Sequence, residues 1–95
     1  MTQLTREARE ELIKIRERGQ SLEPLEEAIE SITSSIIDRC KEEFSTMEPV
    51  CYQNIDNNRV FMLQLEMKVA RQIITAVKVA IVDAQQAEEI LEKDY

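Results

Sequence analysis

The chain has 95 residues, of which 43% are hydrophobic and 33% are charged, with one glycine, two prolines and no histidine or tryptophan. This apolar share excludes a disordered chain, and the scarcity of glycine and proline excludes a turn-rich β-sandwich. Twelve basic and nineteen acidic residues give a net charge of −7, which disfavours non-specific binding to nucleic acid. We therefore expect one all-α domain over residues 1–95, made of an N-terminal helix (1–20) and an antiparallel helical hairpin (21–92).

The first predicted helix covers residues 6–18. Thr5 can act as its N-cap, because a threonine hydroxyl accepts a hydrogen bond from a free N–H group of the first turn. Gly19 predicts the end of the helix, although the apolar spacing continues to Leu22 and leaves a bend at Gly19 as the alternative. The apolar residues recur every three or four positions, which indicates one buried side: Leu4, Ala8, Leu12 and Ile15.

The second predicted helix covers residues 22–45 and is acidic. Pro24 is tolerated in its first turn, and Pro49 sets its latest end because the residue before a proline disfavours the α conformation. Between Glu23 and Glu48 there are eight acids and two bases. One apolar stripe predicts a single buried face, formed by Leu25, Ile29, Ile32, Ile36 and Cys40.

The third predicted helix covers residues 58–92, after a loop over residues 45–58. No glycine or proline occurs between Arg59 and Leu91, so an unbroken helix would be roughly 50 Å long. Apart from one narrow polar stripe, its surface is apolar around most of its circumference as far as Ala84. The sequence leaves open whether the helix continues past Asp83.

A helix that is apolar over most of its circumference must be buried over most of it. Two shorter helices with one stripe each cannot cover it, so we expect further copies of the chain in a symmetric homo-oligomer, or another protein. The alternative is a break near Asp83 that folds the helix back into a monomeric bundle. The predicted oligomer interface consists of Met62, Leu65, Val69, Ile73, Val77, Ala80 and Ile81.

Glu66 lies in the apolar part of the third helix, with Arg59 two turns earlier on the same side. A buried carboxylate needs a partner, because its desolvation alone costs several kcal/mol. The partner could be Arg59 of another subunit, a base of the first helix, or water in a polar channel. Glu66 therefore marks either a ligand pocket between helices or an ion pair that sets the register of an oligomer.

Three bases and no acid occur between Met67 and Val82: Lys68, Arg71 and Lys78. Such a strip on an acidic protein is a candidate site for a small anion or nucleotide. It lacks interleaved aromatic residues, so it offers no stacking platform for single-stranded nucleic acid. The alternatives are that it pairs with the acidic second helix or remains in water.

Catalytic and metal-binding signals are weak. The two cysteines, Cys40 and Cys51, cannot form a four-ligand zinc site without histidine. Cys40 is predicted to be a small core residue of the apolar stripe, and no base near Cys51 lowers the pKa of its thiol. One glycine rules out a glycine-rich phosphate loop. We expect no enzyme activity, no cofactor and no bound metal. The polar N-terminus and the interrupted apolar segment Val69–Val82 predict a cytoplasmic protein without a membrane span.

The order of the elements resembles small all-helical accessory proteins of tailed bacteriophages. The segments that carry this resemblance are REAREELIKIRERG, LEPLEEAIESI and NNRVFMLQLEMKVARQIITAVKVAI. The resemblance implies an oligomer of the host cytoplasm or virion that serves head assembly, DNA packaging or evasion of host defence. The Asn58-Arg59 opening of the long helix is similar to that of nucleotide-sequestering helical-hairpin proteins, which implies a ligand site near Arg59.

Three functional hypotheses follow. The first is a non-catalytic interaction protein that assembles through its third helix. The second is a helical oligomer that binds a small anion or nucleotide through Arg59, Glu66 or the strip of Lys68, Arg71 and Lys78. The third is a nucleic-acid-binding packaging adaptor, which the net charge of −7 disfavours.

Overall fold

The computed structural model describes residues 3–47 and 57–93, and all regular secondary structure in these ranges is helical. The prediction of an all-α protein is therefore confirmed. Residues 48–56, which include Cys51 and most of the predicted loop, lie outside the described residues. The elements in chain order are α1 (Arg6–Leu22), a 3₁₀ turn (Glu23–Leu25), α2 (Glu26–Thr46) and α3 (Asn57–Lys93).

The prediction of three separate helices is wrong, because α1, the 3₁₀ turn and α2 follow one another without a non-helical residue. Leu22, Glu23 and Glu26 all have right-handed helical backbone angles. Pro24 has no N–H group to donate to the preceding turn, and the chain tightens into a 3₁₀ turn there instead of leaving the helical conformation. The described chain thus forms two long helical segments, one on each side of the loop.

The ends of α1 differ in how well they were predicted. Thr5 is the N-cap, and its hydroxyl oxygen accepts a hydrogen bond from the backbone N–H of Ala8 at 3.1 Å. Gly19, in contrast, does not end α1, which continues to Leu22, and Gly19 has no positive φ. The reason for glycine at this position is therefore packing, as described below, and not the backbone freedom that a helix end requires.

The long helix α3 is continuous past Asp83 and ends at Lys93, so the alternative of a break near Asp83 is wrong. Its buried positions are separated by seven residues from Leu63 to Val77 and by three or four residues from Val77 to Leu91, because Ile81 and Ala87 are buried there as well. A seven-residue repeat is typical of the narrow seam of a coiled coil. The chain itself therefore covers a narrow stripe of α3 in its N-terminal part and a wider one in its C-terminal part. The members of the repeat are Leu63, Ala70, Val77, Ala84 and Leu91.

The chain divides into two compact units. Unit 1 consists of Met1–Glu27 and Thr75–Tyr95, so it contains α1 and the C-terminal part of α3. Unit 2 consists of Ala28–Ile74 and contains nearly all of α2 with the N-terminal part of α3. Each unit is thus a pair of helices. No helix within residues 3–47 or 57–93 is both long enough and apolar enough to cross a bilayer.

The helices of unit 1 approach closely at Gly19. A Cβ atom added to Gly19 would overlap the Cβ atom of Ala84 and would lie 2.5 Å from the carbonyl oxygen of Ala80. Both obstacles are rigid, since one is backbone and the other a single methyl group. Glycine is therefore required here because the backbone of α1 lies directly against α3.

The helices of unit 2 pack around Cys40 and Leu63, whose side chains are fully buried. The stripe predicted for the second helix is wrong in part, because Leu25 and Ile32 are exposed and Thr33 is buried instead. Thr33 lies seven residues before Cys40, in the same seam. Its hydroxyl donates to the carbonyl oxygens of Ile29 and Glu30 at 2.9 and 3.0 Å, which satisfies the buried polar group.

Candidate functional site

One side of unit 2 carries large apolar side chains that the chain leaves exposed. We call it the apolar face. On α2, Ile32 is 61% exposed and Ile36, one turn later, is half-buried. On α3, four residues on one side of the helix are between 42% and 46% exposed. Monomeric proteins rarely expose contiguous apolar patches of this kind without a functional reason. The apolar face consists of Ile32, Ile36, Met62, Leu65, Val69 and Ile73.

A groove of about 390 Å³ runs along this face between α2 and α3. Its walls are mostly aliphatic, and its two charged side chains come from opposite walls, Arg39 from α2 and Glu66 from α3. Since a groove between two helices can accept a ridge of side chains from a third, its form suits a helix better than a small polar molecule. The remaining lining residues are Ile36, Leu65, Val69, Ala70 and Ile73.

Arg39 and Glu66 form an ion pair within the apolar face. Nη2 of Arg39 donates to Oε2 of Glu66 at 2.7 Å, and the two side chains are 65% and 34% exposed. The partner of Glu66 is therefore a base of α2, which was not among the three partners that the sequence predicted. The apolar residues around Glu66 in the sequence predicted a buried carboxylate, but its side chain is 34% exposed.

The thiol of Cys40 contacts the same carboxylate, and its Sγ donates to Oε2 of Glu66 at 3.5 Å. Burial raises the pKa of the Cys40 thiol, and the neighbouring negative charge of Glu66 raises the pKa further. A buried thiol with a raised pKa stays protonated at neutral pH and is a poor nucleophile. Cys40 therefore acts as a small core residue.

Arg59 and Glu43 form a second ion pair between α3 and α2, near the loop end of unit 2. The pair is bidentate: Nε and Nη2 of Arg59 donate to Oε1 and Oε2 of Glu43 at 2.6 and 2.5 Å. These hydrogen bonds lower the pKa of the Glu43 carboxyl and raise the pKa of the Arg59 guanidinium. The fork of Arg59 is thus occupied by a carboxylate of its own chain.

The predicted site residues are distributed over several surfaces. Arg59 and Glu66 lie on one side of α3, and each binds a residue of α2. Lys68 lies almost opposite Glu66 on the helix. Lys68, Arg71 and Lys78 are all exposed.

The predicted interface residues also separate into two groups. Four of them, Met62, Leu65, Val69 and Ile73, belong to the apolar face of unit 2. The other three lie in unit 1, where the chain itself buries Val77 and Ile81 and half-buries Ala80.

Sequence reasoning missed Arg39 and Glu43 as partners in this region. A signal for them exists in the order of the charges. On α2 the base Arg39 comes four residues before the acid Glu43. On α3 the base Arg59 comes seven residues before the acid Glu66. When two helices run antiparallel, these orders place each base opposite an acid. The observed pairs, Arg39 with Glu66 and Glu43 with Arg59, match that arrangement.

Within residues 3–47 and 57–93, no group of three or more His, Cys, Asp or Glu side chains is arranged to hold a metal ion. The described region also has no buried side-chain nitrogen or oxygen without a hydrogen-bond partner. The feature that stands out is therefore a surface, the apolar face with its central ion pair. Comparisons with protein families, with curated proteins and with solved structures found no match to this chain.

Proposed function

We propose that this protein is a non-catalytic assembly protein whose apolar face in unit 2 binds a second copy of the same chain. The observation that carries the proposal is the exposure of Ile32, Met62, Leu65, Val69 and Ile73 on one side of a two-helix unit. An accessory role in phage assembly is the biological setting that the resemblance described above implies.

The size of the apolar face supports an interface. Burying a large aliphatic side chain completely is worth ~1.5–3 kcal/mol, so covering a half-exposed one contributes about 1 kcal/mol. Six such side chains from each of two copies would contribute about 12 kcal/mol. Association costs ~4–15 kcal/mol in lost translational and rotational freedom. A second copy brings an equal apolar surface, so the free energy gained by burying both surfaces is of the size that is needed to offset the cost of forming a dimer.

The charge of the apolar face also favours a second copy. The whole chain carries a net charge of −7, but the charged residues at this face form neutral pairs, Arg39 with Glu66 and Arg59 with Glu43. Two copies meeting here would not bring an excess of negative charge together. An acidic protein is best able to self-associate through its neutral surface.

The hypothesis of an anion or nucleotide site has less support. The guanidinium fork of Arg59 already binds the carboxylate of Glu43, and Arg39 binds Glu66. The exposed bases Lys68 and Arg71 lie on α3 away from the groove, and none of the described geometry gathers them around a pocket.

Light scattering coupled to size-exclusion chromatography tests the proposal over a wide dilution range. We expect the wild type at a multiple of 11.1 kDa, and Val69→Asp at the monomer mass, because a carboxylate would be buried in the interface. The matched control is Val82→Asp. Val82 is 49% exposed on α3 in unit 1, on another side of the helix, and its change should leave the mass unaltered. A wild type that is monomeric at every concentration would contradict the proposal.

A further inference from the structure

We propose that Arg39 and Glu66 exchange ion pairs between the two copies of a two-fold dimer, so that these four charges select a dimer and set its register. This inference rests on the proposed function, since it requires that the apolar face binds a second copy. It adds the number of subunits and the residues that determine their alignment.

The position of the pair is the first argument. On α3, Glu66 has Met62 and Leu65 on its N-terminal side and Val69 and Ile73 on its C-terminal side, so it lies near the middle of the apolar face. In a two-fold interface, residues near the axis meet their own copies. A single charged residue near the axis would face the same charge of the other copy. Where an acid and a base lie side by side, the acid of one copy can face the base of the other.

The unused hydrogen-bonding capacity of the pair is the second argument. In the described part of the chain, the hydrogen bonds from Arg39 and Cys40 both end on Oε2 of Glu66, and its Oε1 accepts none. Arg39 uses only Nη2, although a guanidinium has five N–H donors. Arg39 is 65% exposed, so its remaining donors are accessible to a partner.

The second ion pair provides a useful contrast. Glu43 binds Arg59 through both carboxylate oxygens, so its acceptors are already engaged within the chain. Arg39 with Glu66 is the incomplete pair, and it lines the groove. The structure thus holds one closed pair near the loop and one open pair at the centre of the apolar face.

The test uses charge reversal and mixing. Arg39→Glu alone places only acids at these positions, and Glu66→Arg alone places only bases there. Each variant should self-associate about a hundredfold or more weakly than the wild type, because like charges face each other across the axis. An equimolar mixture of the two should form a 1:1 heterodimer, which native mass spectrometry separates from both homodimers. The swapped variant Arg39→Glu/Glu66→Arg should dimerise like the wild type.

The outcomes separate this inference from the proposed function. If both single variants are folded monomers and their mixture also stays monomeric, the exchange of ion pairs is wrong, while dimerisation of the wild type still stands. If both variants dimerise with the affinity of the wild type, the pair lies outside the interface and the inference is again wrong. If the wild type itself is monomeric, the proposed function fails and the inference fails with it.

Neutral variants cover the case in which a charge reversal prevents folding. Arg39→Gln and Glu66→Gln keep the shape of the face and should each weaken self-association by about thirtyfold or more. Circular dichroism checks that they are folded. Dissociation constants of these variants equal to that of the wild type would contradict an ion pair shared between subunits.

Discussion

The two units show two ways of holding a pair of helices together. In unit 1 the backbone of α1 approaches α3 at Gly19, opposite Ala80 and Ala84, and the contact depends on the absence of a side chain. In unit 2 the helices pack around the buried side chains of Cys40 and Leu63, and the ion pairs Arg39–Glu66 and Arg59–Glu43 connect them. Small residues in unit 1 favour close packing at Gly19. Both units leave large apolar side chains exposed, Val79 and Val82 among them in unit 1, but those of unit 2 lie along an aliphatic groove.

The largest expected effect on stability is that of Leu63→Ala in unit 2. Leu63 is fully buried, so we expect the free energy of unfolding to fall by about 2–5 kcal/mol, from lost burial and the cavity left behind. Hydrogen exchange should accelerate in α2 peptides more than in α1 peptides.

The matched control for Leu63→Ala is Leu65→Ala, two residues away on the same helix. Leu65 is 42% exposed and belongs to the apolar face, so its truncation should weaken self-association more than it lowers the stability of the monomer. If the two variants lose the same stability under conditions where the protein is monomeric, the distinction between seam and apolar face is wrong.

The next largest effect is expected from Gly19→Ala in unit 1. Alanine in place of glycine inside a helix normally stabilises it by ~0.5–1 kcal/mol, but here the added Cβ would overlap α3. We expect a net loss of about 1–3 kcal/mol, measured by urea denaturation, with faster hydrogen exchange in α1 peptides. The exposed neighbour variant Gln20→Ala should change stability little. A stabilised Gly19→Ala protein would show that the close approach does not exist.

A smaller effect is expected at the start of α1 in unit 1. Thr5→Ala removes the hydroxyl that accepts the backbone N–H of Ala8, and we expect a loss of about 1 kcal/mol. Thr5→Ser keeps a hydroxyl and should recover most of that stability in the same thermal denaturation measurement. Equal losses in both variants would mean that the cap hydrogen bond contributes nothing.

The smallest effect concerns the exposed ion pair at the loop end of unit 2, and it depends on pH. Because Arg59 lowers the pKa of Glu43 in the folded state, the stabilisation is present above the unfolded pKa of about 4.3. This stabilisation is lost as the pH falls through the lower pKa that the Glu43 carboxyl has in the folded state. The difference in stability between the wild type and Glu43→Gln should therefore shrink on acidification below about pH 4.3.

Arg59→Gln is the matched control for this pH dependence, since it removes the other half of the pair. It should abolish the same acid-dependent part of the stability as Glu43→Gln, and the loss in the double variant should be smaller than the sum of the two single losses. Additive losses would show that the two residues act independently.

Local sequence patterns were sufficient for the all-α class and for the N-cap of α1, but not for the number of helical segments. The cap at Thr5 was predictable because an N-cap depends on one hydroxyl and the first turn alone. The lack of glycine and proline predicted a long α3, but only the structure decided that it continues past Asp83. Pro24 misled the prediction of a helix boundary, since a 3₁₀ turn accommodates it without leaving the helical conformation.

The candidate site was predictable only in part. The spacing of Met62, Leu65, Val69 and Ile73 identified one surface of α3 correctly as apolar, but not which apolar residues the chain would cover by itself. On α2 the seam passes through Thr33 and leaves Ile32 exposed, because a threonine can satisfy its hydroxyl within its own helix. Hydrophobicity alone predicted that Ile32 is buried and Thr33 is exposed.

The sequence by itself determined that the protein is helical, where α1 begins and that α3 has more apolar surface than one seam can bury. Tertiary structure alone decided the partners: Arg39 for Glu66, Glu43 for Arg59, and the backbone of α3 for Gly19. The physical reason is range. Caps and helical periodicity depend on neighbours within a few residues, whereas an ion pair or a close helix contact depends on the rotation and offset of two helices, which their joint packing sets.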